Sequence, residues 1–385
     1  MSTRQLPPAA AWRRERGFAL PATIIALVLL SALIAGALFV STEELRAGRT
    51  DVAGLRARAA TEWALERAIA EWDPQRNNRL AVGASEVVAD RTDARGDSVE
   101  VSATRVQLRT VWLTARATSH ADGRTIPARH TVSGSLRLVA PAIPLRAALT
   151  AGGAVTIVGG TVDGLSTATD TRSAWECGGD EPAGMAGIVV PDSTRVCGET
   201  CTGAAPAGVN GAPPIATAPG LTSDSASTGA EWPGTIGRAS ITLVGGQLSP
   251  RPTASGQACV RDDALNWGDP GGGPCGDHYP VIRIRGDAVL AAGSVGQGIL
   301  LVEGSVRLEA AARFAGVVIA ANDIVVAGAG AELLGVAFAR DIDGVPGSRV
   351  EDGGAIRFAS CVARRAMMGA ARLTRTPVRW WAELR

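Results

Sequence analysis

Residues 17–42 read GFALPATIIALVLLSALIAGALFVST, and this stretch decides how the rest of the chain is arranged. It carries no charged side chain, and it is longer than the roughly 20 residues that a helix needs to cross a bilayer core. Arg16 ends a basic group just before it, and Glu43 and Glu44 follow it. Because basic residues favour the cytoplasmic side, the pattern predicts a single span with a cytoplasmic N-terminus and an extracytoplasmic C-terminal region.

The composition excludes several classes of protein. The chain has 385 residues with 38 Lys+Arg against 37 Asp+Glu, a formal charge of +1. This balance gives no drive toward a polyanion, so we expect no nucleic-acid partner. A hydrophobic fraction of 46% argues against disorder along the whole chain.

The apolar stretch is followed by a helical pattern. Apolar residues recur at three-, four- and seven-residue intervals with charged residues between them, at Leu45, Val52, Leu55, Ala59, Trp63, Ile69 and Trp72. The pattern predicts a transmembrane helix over 18–41 that continues as an amphipathic helix over 42–73. Asp73-Pro74 is the expected stop, because proline cannot continue the helical hydrogen-bond ladder.

Three interpretations of the N-terminal segment compete. A plain single-pass anchor explains the hydrophobicity but gives no reason for the amphipathic extension. A secretory signal would be cut at a small-residue site, which Ala35-Gly36-Ala37 supplies, although the apolar run continues beyond it. The third interpretation is a leader cut on the cytoplasmic side of the apolar stretch.

Two motifs support the third interpretation by resemblance. Arg16-Gly17-Phe18-Ala19-Leu20-Pro21 resembles the cleavage site of type IV pilins and pseudopilins, and residues 58–68 resemble the Ala-Glu-x-Ala-Leu stretch of PilX-type minor pilins. The resemblance implies a leader over 1–17, cleavage between Gly17 and Phe18 and methylation of the new Phe18 amine. It also implies prepilin peptidase, the inner membrane and other pilins or pseudopilins as partners.

One position departs from the family. Major pilins carry Glu as the fifth residue of the mature chain, where this sequence has Ala22. That absence is similar to the pseudopilin at a filament tip. It argues against a major, self-polymerising subunit.

The region after the helix predicts β structure of two kinds. Alternating runs separated by turn residues over 85–140 predict an antiparallel meander packed on the helix, a pilin-like α+β head. Over 145–362 the chain is Gly-rich. Runs beginning at Gly298, Gly316 and Gly335 recur at intervals of 18 and 19 residues, which favours a short β-solenoid over the alternative of a β-sandwich. Residues 172–280 are expected to form a loop insertion in this domain.

The cysteines are candidate disulfide partners, because exported cysteines are usually bridged. They are Cys177, Cys197, Cys201, Cys259, Cys275 and Cys361. Sequence cannot fix the pairing, and the local pairs to test first are Cys197 with Cys201 and Cys259 with Cys275. A zinc site would need closely spaced pairs, so we expect no metal and no cofactor.

Residues for catalysis are sparse. His120, His130 and His278 are the only histidines, and none belongs to a nucleophile motif; without lysine no P-loop can form. Asp262, Asp263, Asp341 and Asp343 could pair as in enzymes that cut polysaccharides, although turn positions explain them equally well. We therefore expect no enzymatic activity.

The C-terminal segment 363–385 is expected to form a short helix and a Trp-containing tail that covers an end of the solenoid. Taken together, the sequence predicts a minor pilin-like structural subunit in the cytoplasmic membrane or in a pilus, with its β domain displayed outside. A type II secretion pseudopilin, a single-pass surface adhesin and a membrane-anchored polysaccharide-acting enzyme remain alternatives.

Overall fold

The computed structural model describes residues 19–92, 97–120, 127–165, 184–202, 204–221, 231–344, 347–376 and 381–384. Within these ranges the chain forms a long helix, an antiparallel sheet and a larger curled parallel sheet. The helices are α1 (Ala19–Ala70), α2 (Pro74–Asn77), α3 (Glu231–Ile236) and α4 (Ser360–Gly369).

Helix α1 is one uninterrupted element of 52 residues, about 80 Å at a rise of 1.5 Å per residue. Residues 20–52 are all exposed, and burial begins at Ala53. It is the one described helix that is long and apolar enough to cross a membrane. It ends at Ala70, before the predicted stop. Asp73 instead caps α2, since its Oδ1 accepts the backbone N–H of Gln75 at 2.9 Å.

The predicted antiparallel sheet is confirmed. It consists of β1 (Ser85–Thr92), β2 (Ser98–Gln107), β3 (Thr110–Ser119) and β4 (Ala128–Val139), paired in chain order. One face of this sheet is buried against the second half of α1.

The C-terminal tail corrects a prediction. Two of its segments, Arg372–Arg375 and Trp381–Leu384, are strands that pair with β4 of the antiparallel sheet. The described segments of the tail therefore extend the first sheet. Backbone pairing at the free edge of β4 satisfies peptide groups that would otherwise stay open at that edge.

The second sheet is parallel at every described strand pair. Its strands up to the middle of the chain are β5 (Ala147–Ala151), β6 (Val155–Val158), β7 (Thr161–Asp163), β8 (Ala186–Val190), β9 (Val196–Cys197), β10 (Val209–Asn210) and β11 (Ile215–Thr217). Those in the C-terminal half are β12 (Ile241–Leu248), β15 (Val281–Leu290), β16 (Val295–Val302), β17 (Val306–Leu308), β18 (Arg313–Ala320), β19 (Ile324–Ala327), β20 (Glu332–Ala339), β21 (Ser348–Glu351) and β22 (Ala355–Phe358). A separate two-stranded ribbon, β13 (Ala254–Ser255) with β14 (Ala258–Cys259), lies between β12 and β15.

Parallel pairing differs from the antiparallel pairing of a β-sandwich. The glycine repeat sets the register: Gly298 pairs with Gly316 and Gly316 with Gly335. Gly316 has φ +142°, and a Cβ built on it would lie 2.0 Å from the carbonyl oxygen of Gly298. Only glycine allows neighbouring strands to approach this closely at such a corner.

The described parts of the expected loop insertion over 172–280 contain strands as well as loops, and residues 260–280 have no strand. Strands β8 to β12 fall inside that range and belong to the parallel sheet. Strand β5 pairs with β20 on one side and β8 on the other, so the sheet's first strand in the chain lies in its interior. From β5, strands β8 and β11 follow on one side. Strand β12 lies at the opposite end of the sheet, and β15, β16 and β18 lead from it back to β20.

Helix α4 joins the two sheets. It packs on β16, β18 and β20, and Met367 lies in the core of the parallel sheet. The next residue, Met368, lies in the core between α1 and the antiparallel sheet. The two cores therefore meet at one helix.

Candidate functional site

The face that α1 buries against the sheet is not the stripe of large apolar residues found in the sequence pattern. Its buried residues are spaced by three and four positions and most are small: Ala53, Ala57, Thr61, Ala64 and Leu65. Small side chains let a helix backbone approach its neighbour closely. The sheet therefore selects the small-residue face of the helix.

The large apolar residues of the predicted stripe point away from the sheet. Leu45 is 62% exposed, Val52 47%, Leu55 67% and Trp63 50%. Only the end of the stripe is buried, where Trp72 is 9% exposed. We call the exposed residues 45, 52, 55 and 63 the outer stripe.

The outer stripe continues the apolar surface of residues 20–40. From Leu20 to Trp63 the helix rises about 65 Å, roughly twice the 30 Å thickness of a bilayer hydrocarbon core. Leu33 and Leu38, at 72% and 63%, are as exposed as the outer stripe. A membrane can therefore cover only part of this apolar surface.

Polar contacts fix the orientation of the helix on its sheet. Thr61 Oγ1 lies 2.8 Å from Nδ1 of His130 in β4, and Arg375 donates to Glu66 from the C-terminal strand. On the solvent side, the guanidinium carbons of Arg67 and Arg91 lie 5.1 and 5.6 Å from the ring centre of Trp63. These cations flank the end of the outer stripe.

The junction between α1 and the two sheets is organised by Asn78. Its Nδ2 donates to the backbone carbonyls of Met368 at 2.9 Å and Ala371 at 2.7 Å, and its Oδ1 accepts from Trp72 Nε1 at 2.9 Å. Asn78 is 5% exposed. One buried amide thus ties the end of the helix region to α4.

Arg105 lies beside this junction, fully buried at 0% exposure. Its guanidinium donates to the backbone carbonyls of Asn78, Leu80 and Leu108. Arg105 was not predicted from the sequence as a site residue. The signal was present, because Arg105 occupies the inward-facing alternate positions of β2 together with Val101 and Ala103.

A disulfide-closed loop forms the next contact with the helix region. Cys259 and Cys275 are bonded, and Asn266 Nδ2 lies 3.3 Å from each sulfur. Arg261, inside this loop, donates to the Gln75 carbonyl of α2, and Gln75 Nε2 donates to the carbonyl of Tyr279, just after the loop, at 2.8 Å; these contacts fasten the loop to the end of the α1 region. Nε2 of His278 donates to the Asn266 carbonyl at 3.1 Å. Burial and the nearby Arg261 charge lower the pKa of His278 to about 4, so this histidine is neutral at pH 7.

The remaining predicted site residues are distributed as follows. Cys197 and Cys201 are bonded to each other, and Cys361 is also in a disulfide. Gly17, Phe18 and Cys177 lie outside the described residues.

The structure places the predicted acidic residues in different surroundings. Asp263 is used locally, accepting from Thr253 Oγ1 at 3.0 Å and from the Leu265 N–H at 2.9 Å. The negative charges of Asp341 and Asp343 instead affect the pKa of Asp323, a buried side chain that is 3% exposed. Burial, followed by these two charges, raises the pKa of Asp323 to about 6. Among the described residues, no group of three or more His, Cys, Asp or Glu side chains is placed to hold a metal ion.

No protein-family model matches the chain. None of the curated proteins matches it significantly. Among solved structures, the crystal structure of the competence-associated pilin ComZ from Thermus thermophilus matches at 13% identity over 87% of this chain and 96% of that chain, with a TM-score of 0.24. A TM-score this low does not establish a common fold, and the function of that pilin is not transferred on this basis.

Proposed function

We propose that the chain is a minor pilin-like structural subunit, whose α1 packs among the helices of other pilins or pseudopilins and whose β domain is displayed outside. The observation that carries the proposal is the apolar surface of α1, which extends from Leu20 through the outer stripe to Trp63. A bundle of related helices would cover this whole length, because apolar helix faces are buried by neighbouring helices.

A plain anchor leaves part of that surface unexplained. Residues 20–40 alone suffice to cross a bilayer. Leu45, Val52 and Leu55 would then lie in water, although exposed contiguous apolar surface usually marks an interaction site. The same residues favour a filament subunit over a single-pass adhesin.

The leader and the position of the subunit are part of the proposal. Prepilin peptidase would cut between Gly17 and Phe18, and the cytoplasmic membrane would hold the chain before assembly. Ala22, in place of the Glu of major pilins, supports a minor or tip position. A type II secretion pseudopilin would share all of these features, so the choice of filament system is left to the experiment below.

The β domain is proposed to serve display and not catalysis. Its parallel register of 18 and 19 residues fits a short β-solenoid, which presents flat faces stabilised by stacked strands. Within this domain, the buried amide of Asn266 donates to the backbone carbonyl of Val260. We propose no cofactor for this domain.

The decisive experiment tests whether the leader over 1–17 is cleaved from the chain. The full chain in membranes is incubated with prepilin peptidase, and the N-terminus of the product is sequenced. We expect a product that begins at Phe18 and that co-purifies with pilins or type II pseudopilins, the identity of which assigns the filament system.

A Gly17→Val variant is the matched control, since a branched side chain at the cut site should block cleavage without touching the β domain. An uncut native chain, or a product cut after Ala37, would contradict the proposal.

A further inference from the structure

A groove of about 460 Å³ lies where the antiparallel sheet meets the curled parallel sheet. Its apolar lining includes the buried residues Leu138, Ile143, Met367 and Met368, which come from β4, the following linker and α4. The groove is therefore built by the elements that join the two cores. Methionine side chains adapt their shape to different apolar partners.

Three arginines line the same groove: Arg109, Arg137 and Arg364. The side chains of these three form no hydrogen bond or ion pair with another residue in the described part of the chain. Two arginines of the parallel sheet are paired instead, Arg283 with Glu303 at 2.5 Å and Arg357 with Glu332 at 3.2 Å. Among the described residues that line the groove there is no acidic side chain, so these three guanidinium groups form a local excess of positive charge there.

The linker that forms one wall offers backbone groups as well. Residues 140–142 have no secondary structure, and the N–H groups of Ala140 and Ala142 have no hydrogen-bond acceptor among the described residues. An extended peptide pairs with open backbone groups of this kind.

We propose that this groove binds an extended, acidic peptide segment of a partner protein, with carboxylates on the three arginines and apolar side chains on the methionine-containing lining. Arg–carboxylate pairs form two parallel hydrogen bonds, which give both attraction and a preferred direction. None of the described residues that line the groove is aromatic, so this lining offers no stacking surface for nucleic-acid bases.

The position of the groove argues against a lipid headgroup as its occupant. Met368 of the lining packs in the same core as Trp72, about 50 Å of helix beyond residue 40. With residues 20–40 in a bilayer, the groove lies far outside the membrane surface.

The test uses the full chain in detergent micelles and a fluorescein-labelled, end-blocked peptide of sequence Asp-Leu-Glu-Leu-Asp. We expect saturable binding, measured by fluorescence anisotropy, and about tenfold weaker binding to the Arg137→Gln and Arg364→Gln variants because each loses a charge-assisted pair. Arg116→Gln, an exposed arginine of β3 outside the groove, is the matched control and should leave the affinity unchanged.

Two further peptides separate the contributions. The neutral Asn-Leu-Gln-Leu-Asn and the leucine-free Asp-Gly-Glu-Gly-Asp should each bind at least fivefold more weakly, because the first lacks the charges and the second lacks the apolar side chains. Equal binding of either peptide would overturn the proposal. So would an affinity that is unchanged in both groove variants, or displacement of the acidic peptide by inorganic sulfate at the same molar concentration.

Discussion

Replacing Gly316 by alanine should be among the most damaging single-methyl changes in the molecule. Gly316 lies between Gly298 and Gly335 in the parallel ladder, at a corner where all three have positive φ. The added Cβ would lie 2.0 Å from the Gly298 carbonyl oxygen. Real contacts of this type do not fall below about 3 Å, so the strands would have to separate by about 1 Å.

The magnitude has two parts. An L-residue held at positive φ costs about 1–2 kcal/mol. Forcing an extra methyl into close-packed surroundings costs about 1–3 kcal/mol. We therefore expect Gly316→Ala to lower the free energy of unfolding by about 2–5 kcal/mol.

Gly293→Ala is the matched control. Gly293 also has positive φ, +73°, but a Cβ built there meets nothing within 4 Å. This variant should lose only the backbone contribution of about 1–2 kcal/mol. The assay is denaturant unfolding of the full chain in detergent micelles, followed by circular dichroism in the β-sheet region.

The difference in the free energy of unfolding between the two variants measures the cost of placing a methyl group where neighbouring strands approach closely. If Gly316→Ala were no more destabilised than Gly293→Ala, the glycine repeat would not set the spacing of the sheet, and the physical account of that repeat would be wrong.

Three further predictions concern buried polar groups. The pKa of Asp323 is raised to about 6 from an ordinary 3.8, so its contribution to the stability of the folded chain falls as the pH rises from about 4 to 6. Above pH 6, Asp323→Asn should therefore be more stable than the native chain by up to about 3 kcal/mol, measured by urea unfolding. His278 makes stability depend on pH in the opposite direction, because its pKa of about 4 lies below the ordinary 6.5. Lowering the pH from about 6.5 to 4 should therefore reduce the free energy of unfolding by up to about 3 kcal/mol, and His278→Gln should remove that loss in the same assay. An unchanged pH profile in the variant would contradict the assignment. Asn78→Ala removes three hydrogen bonds at the junction and should lower the free energy of unfolding by about 2–4 kcal/mol. Backbone amides at the end of α4 should then exchange hydrogen faster than in the native chain. Equal exchange would show that Asn78 does not connect the helix region to α4.

The long helix and the antiparallel sheet could be predicted because each is encoded locally. The uncharged stretch 17–42 and the alternation in β2 and β4 depend only on neighbours in sequence. The 18- and 19-residue spacing of Gly298, Gly316 and Gly335 likewise predicted parallel stacking of consecutive segments.

The order of strands in the parallel sheet could not be predicted in this way. Its early strands stack on β20, near the end of the chain, so Leu149 pairs with Ala337. Only tertiary packing decides such a distant pairing. The same is true of the C-terminal strands, which return to β4 after almost the whole second sheet has been formed.

Which face of α1 packs on the sheet could not be read from the periodicity. Hydrophobic periodicity gives most weight to large side chains such as Leu55 and Trp63, and it does not say whether the sheet or another helix covers them. The sheet packs instead on Ala53 and Ala57, since small residues allow a closer approach. Large apolar residues left outside an intramolecular contact are available for an intermolecular one.

The most direct test of the helix-bundle proposal is photo-crosslinking at the outer stripe. A photoreactive phenylalanine analogue is placed at Leu55, which is 67% exposed, or at the control position Arg116 on the antiparallel sheet, in cells that assemble the filament. We predict that the analogue at position 55 crosslinks to the N-terminal helix of another pilin or pseudopilin and that the analogue at position 116 does not. Crosslinks from position 55 to lipid alone, or no crosslink at all in assembled filaments, would contradict the account.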